Sequence, residues 1–120
     1  MRVLLIDDNQ EIGDVLSFYF DETGIDYKII NNGKDGLHVI ETEDFDLILL
    51  DIAMPEFSGL DIIESLKKDG LLELKNVVVM TASSHMATLE RIANSGVKEV
   101  FKKPCSLDDL KDLIEKYRKD

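Results

Sequence analysis

Asp7, Asp8 and Asp51 each close a short apolar run, and Thr81 and Lys103 follow two further runs of the same kind. Taken singly, each aspartate reads more readily as a turn or cap residue, and Asp8-Asn9 suits the start of a helix. Taken together, they have chemistry. Carboxylates held close to one another repel, and their pKa values rise unless a cation neutralises them. No Lys or Arg follows Asp7, Asp8 or Asp51 in the chain to do so. A hard divalent ion bound by a few carboxylates, a carbonyl and water resolves the repulsion, and an all-oxygen donor set points to Mg2+.

For side chains so far apart in sequence to meet, the elements that carry them must be aligned. Apolar runs recur at near-regular intervals, at residues 3–6, 27–30, 47–50, 77–80 and 100–101. The first, third and fourth are continuous and rich in Val, Ile and Leu, as strands buried on both faces of a parallel sheet are. The last is short and flanked by charge, which reads as an edge. Between the runs lie helical patterns. Ile12, Val15, Leu16, Tyr19 and Phe20 form one apolar stripe, with Gly24 as its stop. Leu37 and Ile40 mark a shorter helix after the turn-forming Asn31-Asn32-Gly33, and Leu60, Ile63 and Leu66 mark a third before Gly70. Met86, Leu89, Ile92 and Ala93 give a weaker fourth, closed by Gly96. Leu107, Leu110, Leu113, Ile114 and Tyr117 give a fifth, with Ser106 and Asp109 spaced as a capping box. Strand and helix alternate throughout, which predicts βαβ units, a parallel sheet and helices on both of its faces. In such folds ligands bind beyond the carboxyl ends of the strands, where the strand order reverses. All five singled-out residues sit at predicted strand ends.

Composition narrows the function. The 120 residues suit one domain spanning 1–120, and 44% hydrophobic content is enough for a core. Asp and Glu outnumber Lys and Arg 25 to 14, for a net charge of −11. Residues 98–120 hold seven basic and six acidic side chains, so the acidic excess lies in the rest of the chain. Such a surface is repelled by a phosphate backbone, which argues against direct nucleic-acid binding. Cys105 is the only cysteine, so no intramolecular disulfide forms and a reducing, cytoplasmic setting is expected. No signal peptide or membrane span is legible. His38 and His85 are not spaced for a shared metal, and the Gly-rich phosphate loops of nucleotide-binding domains are absent.

Asp7-Asp8 after the first run, Asp51-Ile52-Ala53-Met54-Pro55 with Gly59 after the third, Thr81-Ala82 after the fourth and Lys103-Pro104 after the fifth resemble the receiver domains of two-component response regulators. The likeness covers the whole chain, in order. It implies a (βα)5 doubly wound, flavodoxin-like α/β fold with strand order 2-1-3-4-5. It also implies that Asp51 is the nucleophile that takes a phosphoryl group from a phosphohistidine of a sensor histidine kinase or phosphotransfer protein. In that reading Asp8 binds Mg2+ directly, Asp7 acts through water, and the Ala53 backbone carbonyl completes the protein's share of the metal shell. Lys103 and Thr81 then contact the phosphoryl oxygens. Lys102 competes with Lys103, but the family's Lys directly precedes its Pro, and alternation aims the two lysines at opposite faces. Pro55 and Gly59 shape the loop after Asp51, and the Lys103–Pro104 bond is expected to be cis. Small Ala53 and Ala82 leave Asp51 open to a partner.

Two positions depart from the family's pattern. Val100 occupies the site of a switching Tyr or Phe, and Phe101 beside it points to the opposite face. Cys105 stands where an aromatic often follows the Pro. The competing reading is an enzyme, an aspartate-nucleophile phosphatase on a similar fold. That motif carries a second Asp two residues after the nucleophile, whereas Asp51 is followed by Ile52 and Ala53. The expected protein is therefore a regulatory phosphoacceptor, either free-standing or part of a longer regulator or hybrid kinase. Its output, to a partner or a fused output domain, is expected through the surface of helix four, strand five and helix five.

Overall fold

The continuous apolar runs form strands and the amphipathic stretches form helices. The computed structural model describes residues 1–82, 85–103 and 106–118. The elements run β1 (Arg2–Ile6), α1 (Gln10–Thr23), β2 (Asp26–Ile30), α2 (Gly33–Thr42), β3 (Leu47–Asp51) and α3 (Gly59–Lys68), then a single 3-10 turn (Leu72–Leu74). β4 (Val77–Thr81), α4 (Met86–Ala93), β5 (Glu99–Lys102) and α5 (Leu107–Lys116) complete the chain. The strands pair in parallel in the order β2-β1-β3-β4-β5. This is the doubly wound α/β fold expected from the alternation. From β1 the chain first adds β2 on one side and then crosses to β3 on the other, so the order reverses between the carboxyl ends of β1 and β3.

Every residue of β3 and β4 is buried, as are Val3–Ile6 of β1, because helices cover both faces. Alternation along the strands divides them between two cores. Leu4, Ile6, Ile48, Leu50, Val77 and Val79 face α2, α3 and α4. Val3, Leu5, Leu47, Leu49, Val78 and Met80 face α1 and α5. The edge strands β2 and β5 are only partly buried.

Local chemistry sets the helix ends. Asn9 caps α1, accepting from the Glu11 amide at 2.9 Å, and Gly24 ends it with a φ of 71°. Ser58 with Asp61 and Ser106 with Asp109 form reciprocal capping boxes on α3 and α5. The segment Asn31-Asn32-Gly33, expected as a turn, is a helix start. Asn32 is the N-cap, accepting from the Asp35 amide at 2.9 Å, and Gly33 is the first helical residue. Residues of two apolar stripes lie outside both cores. Val15 on α1 is 46% exposed, and on α4 only Ile92 is buried while Met86 lies in solvent. Hydrophobic spacing marks a face but does not say how much of it the neighbouring helix covers. The 3-10 turn, whose Leu72 joins the core, had no periodic signal at all.

Polar ties fasten the last helix. The Tyr117 hydroxyl donates to Glu99 Oε2 at 2.8 Å, Lys116 Nζ reaches the same oxygen at 3.0 Å, and the Tyr19 hydroxyl donates to Glu115 at 3.0 Å. Burial, reinforced by the Glu99 carboxylate, pushes the Tyr117 phenol up to about 12. A phenol whose folded pKa is raised contributes stability that is complete below its unfolded value, near 10, and lost as pH rises to the folded one. Tyr117→Phe is therefore expected to lower stability by about 1 kcal/mol in urea unfolding at neutral pH. The difference from wild type should shrink between pH 10 and 12; a difference unchanged over that range would contradict the linkage.

Candidate functional site

The strand register brings distant residues to one edge. Asp7 directly follows β1, Asp51 is the last residue of β3, Thr81 the last of β4, and Lys103 directly follows β5. By alternation Asp51 shares the sheet face of Leu47 and Leu49, the α1/α5 side, whereas Thr81 continues the Val77 and Val79 face toward α2–α4. The Lys103 amide donates to the Thr81 carbonyl at 2.8 Å, which extends the β4–β5 pairing by one residue. Lys102 is exposed on the other side, so the structure brings Lys103 and not Lys102 to the aspartates.

Asp7 and Asp51 are both buried, at 3% and 4% exposure. Lys103 Nζ bridges them, 3.0 Å from Asp7 Oδ2 and 3.3 Å from Asp51 Oδ1. The other Asp7 oxygen accepts the Asn9 amide at 2.9 Å, which fixes its rotamer. Asp8 is exposed, and carboxylate oxygens of Asp7, Asp8 and Asp51 all lie within 4.8 Å of one another. Asn9 caps α1, so Asp8 is not spent on that role. Burial raises the Asp51 pKa, and the Asp7 charge raises it further, against the opposing pull of Lys103. Burial alone would lower the Lys103 pKa, but its bond to Asp7 and the charges of Asp7 and Asp51 outweigh that and raise it. Among the described residues, one ammonium group paired with Asp7 and Asp51 thus serves a cluster of three carboxyl groups. The remaining negative charge, oxygen donors only and an open Asp8 fit a hard divalent cation.

The loop after Asp51 is tightly folded. The Ile52 amide pairs with the Met80 carbonyl at 3.1 Å, and the Gly59 amide returns to the Ile52 carbonyl at 3.0 Å. A Cβ on Gly59 would lie 2.5 Å from the Asp51 carbonyl oxygen, so only glycine admits this approach beneath the candidate nucleophile. Glu56 has a φ of 67°, and the Phe57 amide donates across it to the Pro55 carbonyl at 2.8 Å, a γ-turn of the strained kind. Met54 is buried, whereas Ala53, Pro55 and Ala82 are exposed, leaving Asp51 approachable. Beside the site an apolar groove of about 500 Å3 runs between α1 and α5, floored by Ile12, Val15, Leu107 and Leu110 and reaching Lys103. The sequence hid this groove, because its apolar residues read as core.

Val100 packs into the core under α2–α4, and Phe101 into the one under α1 and α5. The expected division of these two residues holds, and Val100 lies on the same sheet face as Thr81. Pro104, with the expected cis bond, and Cys105 lie outside the described residues.

Residues 3–115 match the response regulator receiver domain family, and the chain belongs to it. It is 33% identical to response regulator protein PmrA of Pseudomonas aeruginosa over 95% of its own length and 51% of that protein. It is 28% identical to sporulation initiation phosphotransferase F of Bacillus subtilis, covering 97% of this chain and 92% of that one. Among solved structures, response regulator protein TrrA of Thermotoga maritima, in complex with Mg2+-BeF, superposes with a TM-score of 0.77 at 28% identity, over 98% of both chains. The chain spans about half the length of curated relatives such as PmrA. No helix among the described residues is long and apolar enough to cross a membrane.

A carboxylate whose folded pKa is raised opposes folding once it is ionised, and this penalty is relieved as pH falls through the raised value. Asp51→Asn is therefore expected to raise the melting temperature at neutral pH without divalent ions, by roughly 2–4 °C. The gain should diminish toward acid pH. Calorimetry showing a loss at pH 7 would count against the charge clash at this strand end.

Proposed function

We propose that the chain is a phosphoacceptor switch in which Asp51 receives a phosphoryl group from a phosphohistidine of a sensor histidine kinase or phosphotransfer protein. The observation that carries this reading is the Lys103 bridge between buried Asp7 and Asp51 beside an exposed third carboxylate. An Asp51 oxygen attacks phosphorus, the P–N bond breaks, and its electron pair returns to the imidazole nitrogen, which takes a proton from solvent. A carboxylate needs no general base for this step, so positioning and charge neutralisation do most of the work. Lys103 already lies 3.3 Å from Asp51 and is placed to pair with the incoming phosphoryl oxygens. Thr81, at the adjoining strand end, is placed to donate its hydroxyl to one of them.

The cation is taken to be Mg2+, held directly by Asp8, Asp51 and the Ala53 carbonyl and through water by Asp7. Bound there, it would neutralise charge on the phosphoryl oxygens. The all-oxygen donor set supports this assignment, as does the Mg2+-BeF complex of TrrA. The apolar groove between α1 and α5 offers a seat for the donor protein within reach of Asp51.

Residues 1–120 act in this reading as one receiver domain in the cytoplasm, without direct nucleic-acid contact of their own. Output passes through the α4-β5-α5 surface to a partner or a fused domain. The phosphatase alternative requires a second Asp two residues after its nucleophile, and after Asp51 that position is Ala53. The chain is thus a regulatory acceptor, limited as a catalyst to self-phosphorylation from small donors and to loss of its own phosphate.

Incubation with acetyl phosphate and Mg2+ is expected to add one phosphoryl group to wild type and none to Asp51→Asn, read by intact-mass measurement. Equal addition to both proteins would sink the assignment. Mg2+ titration of Asp8→Ala should show affinity reduced at least about tenfold, as loss of a direct ligand requires. Unchanged affinity would mean that the cation lies elsewhere.

A further inference from the structure

We propose that Gly33, in the first turn of α2, is a positioning residue for the cation site, because its lack of a side chain lets α2 abut the loop that carries the Ala53 carbonyl. The inference rests on the site proposed above. Gly33 does not serve backbone freedom, since the glycines with positive φ are Gly24, Gly70 and Gly96. Its requirement is space. A Cβ at Gly33 would lie 1.9 Å from the Phe57 carbonyl oxygen, 2.9 Å from the Phe57 carbonyl carbon and 3.0 Å from Phe57 Cδ2. The first two are backbone atoms and cannot turn aside as the end of a long side chain can.

Neither partner in this contact is free to yield. α2 is capped by Asn32 and anchored by buried Val39 and Ile40, and its Gly36 sits against the Ile6 side chain, one residue before Asp7. On the other side Phe57 closes the turn across Glu56, and the Gly59 amide ties the loop back to Ile52. Met54 is buried beneath it. A push at Phe57 therefore travels along a short, doubly pinned loop to Ala53, whose amide is 3.4 Å from Asp51 Oδ1. Loss of a group that orients metal ligands from outside the ligand shell costs roughly 10–100-fold in affinity. Here that outer support is the backbone of a helix that supplies no ligand.

The test is an NMR titration with Mg2+ alone, of wild type, Gly33→Ala and a control, Gly24→Ala. The control strains a positive-φ glycine at the far end of α1 and lowers stability without touching the loop. Gly33→Ala is expected to need about tenfold more Mg2+ for half saturation. Its Ala53 and Phe57 amide signals should be displaced before any Mg2+ is added. Gly24→Ala should keep wild-type affinity and wild-type signals at both positions despite its lower melting temperature. Wild-type affinity in Gly33→Ala would overturn the positioning role while leaving the cation site standing. Absence of Mg2+ binding by wild type would overturn the site and the inference with it. If Gly33→Ala does not fold, Asn32→Ala frays the same turn without adding a clash and is expected to weaken Mg2+ binding severalfold; unchanged affinity there would overturn the proposal.

Discussion

Two buried carboxyl groups at adjoining strand ends share one ammonium group, and much of the structure exists to hold that arrangement. Asp7 and Asp51 stand together because β1 and β3 are neighbours in a sheet whose order reverses between them. Lys103 reaches both from β5, two strands beyond β3, because it follows the edge strand at the same carboxyl end. Charge buried in this way stays tolerable only when paired and hydrogen-bonded. The Asn9 amide on Asp7 supplies one of those bonds. The strands beneath must therefore be rigid, and full burial of β3 and β4 makes them so.

The division of the sheet into two cores matters equally. Residues that gather the charge, Asp51 and Lys103, lie toward α1 and α5, while Thr81 and Val100 lie toward α2–α4. A large ring at the position of Val100 would lie on the Thr81 side of that partition. A valine there is small, half-buried and packed into the α2–α4 core, so it has little surface to move between two positions.

Most of the architecture was legible in the sequence, because three continuous Val, Ile and Leu runs allow few other outcomes than central parallel strands. Asp7, Asp51 and Thr81 were legible because each directly follows such a run, and Lys103 because it precedes Pro104 just past the last one. What escaped depended on tertiary contact. Asn32 and Gly33 read as a turn, since the same residues favour turns and helix caps and only the packing partner distinguishes them. Lys103 could be ranked above Lys102 by the Pro that follows it and by alternation, yet its bridge between Asp7 and Asp51 required the register of strands that are not adjacent in sequence. The groove between α1 and α5 was invisible because Val15 and Leu107 count as core by type, whatever their exposure.

The slight anchoring of α4 has a consequence of its own. Eight residues long and with Ile92 its only buried side chain, this helix has far less to lose on opening than the helices around it, whose N-cap side chains accept backbone amides. Stability in a folded chain is distributed unevenly, and segments with few buried contacts open at a small fraction of the global unfolding free energy. α4 directly follows the Thr81 end of β4 and belongs to the surface through which output is proposed to pass. Of the five helices α4 has the fewest buried side chains, so a change in contact energy at the strand ends would redistribute its conformations most readily, at the cost of withdrawing Ile92 from the core it shares with α2 and α3.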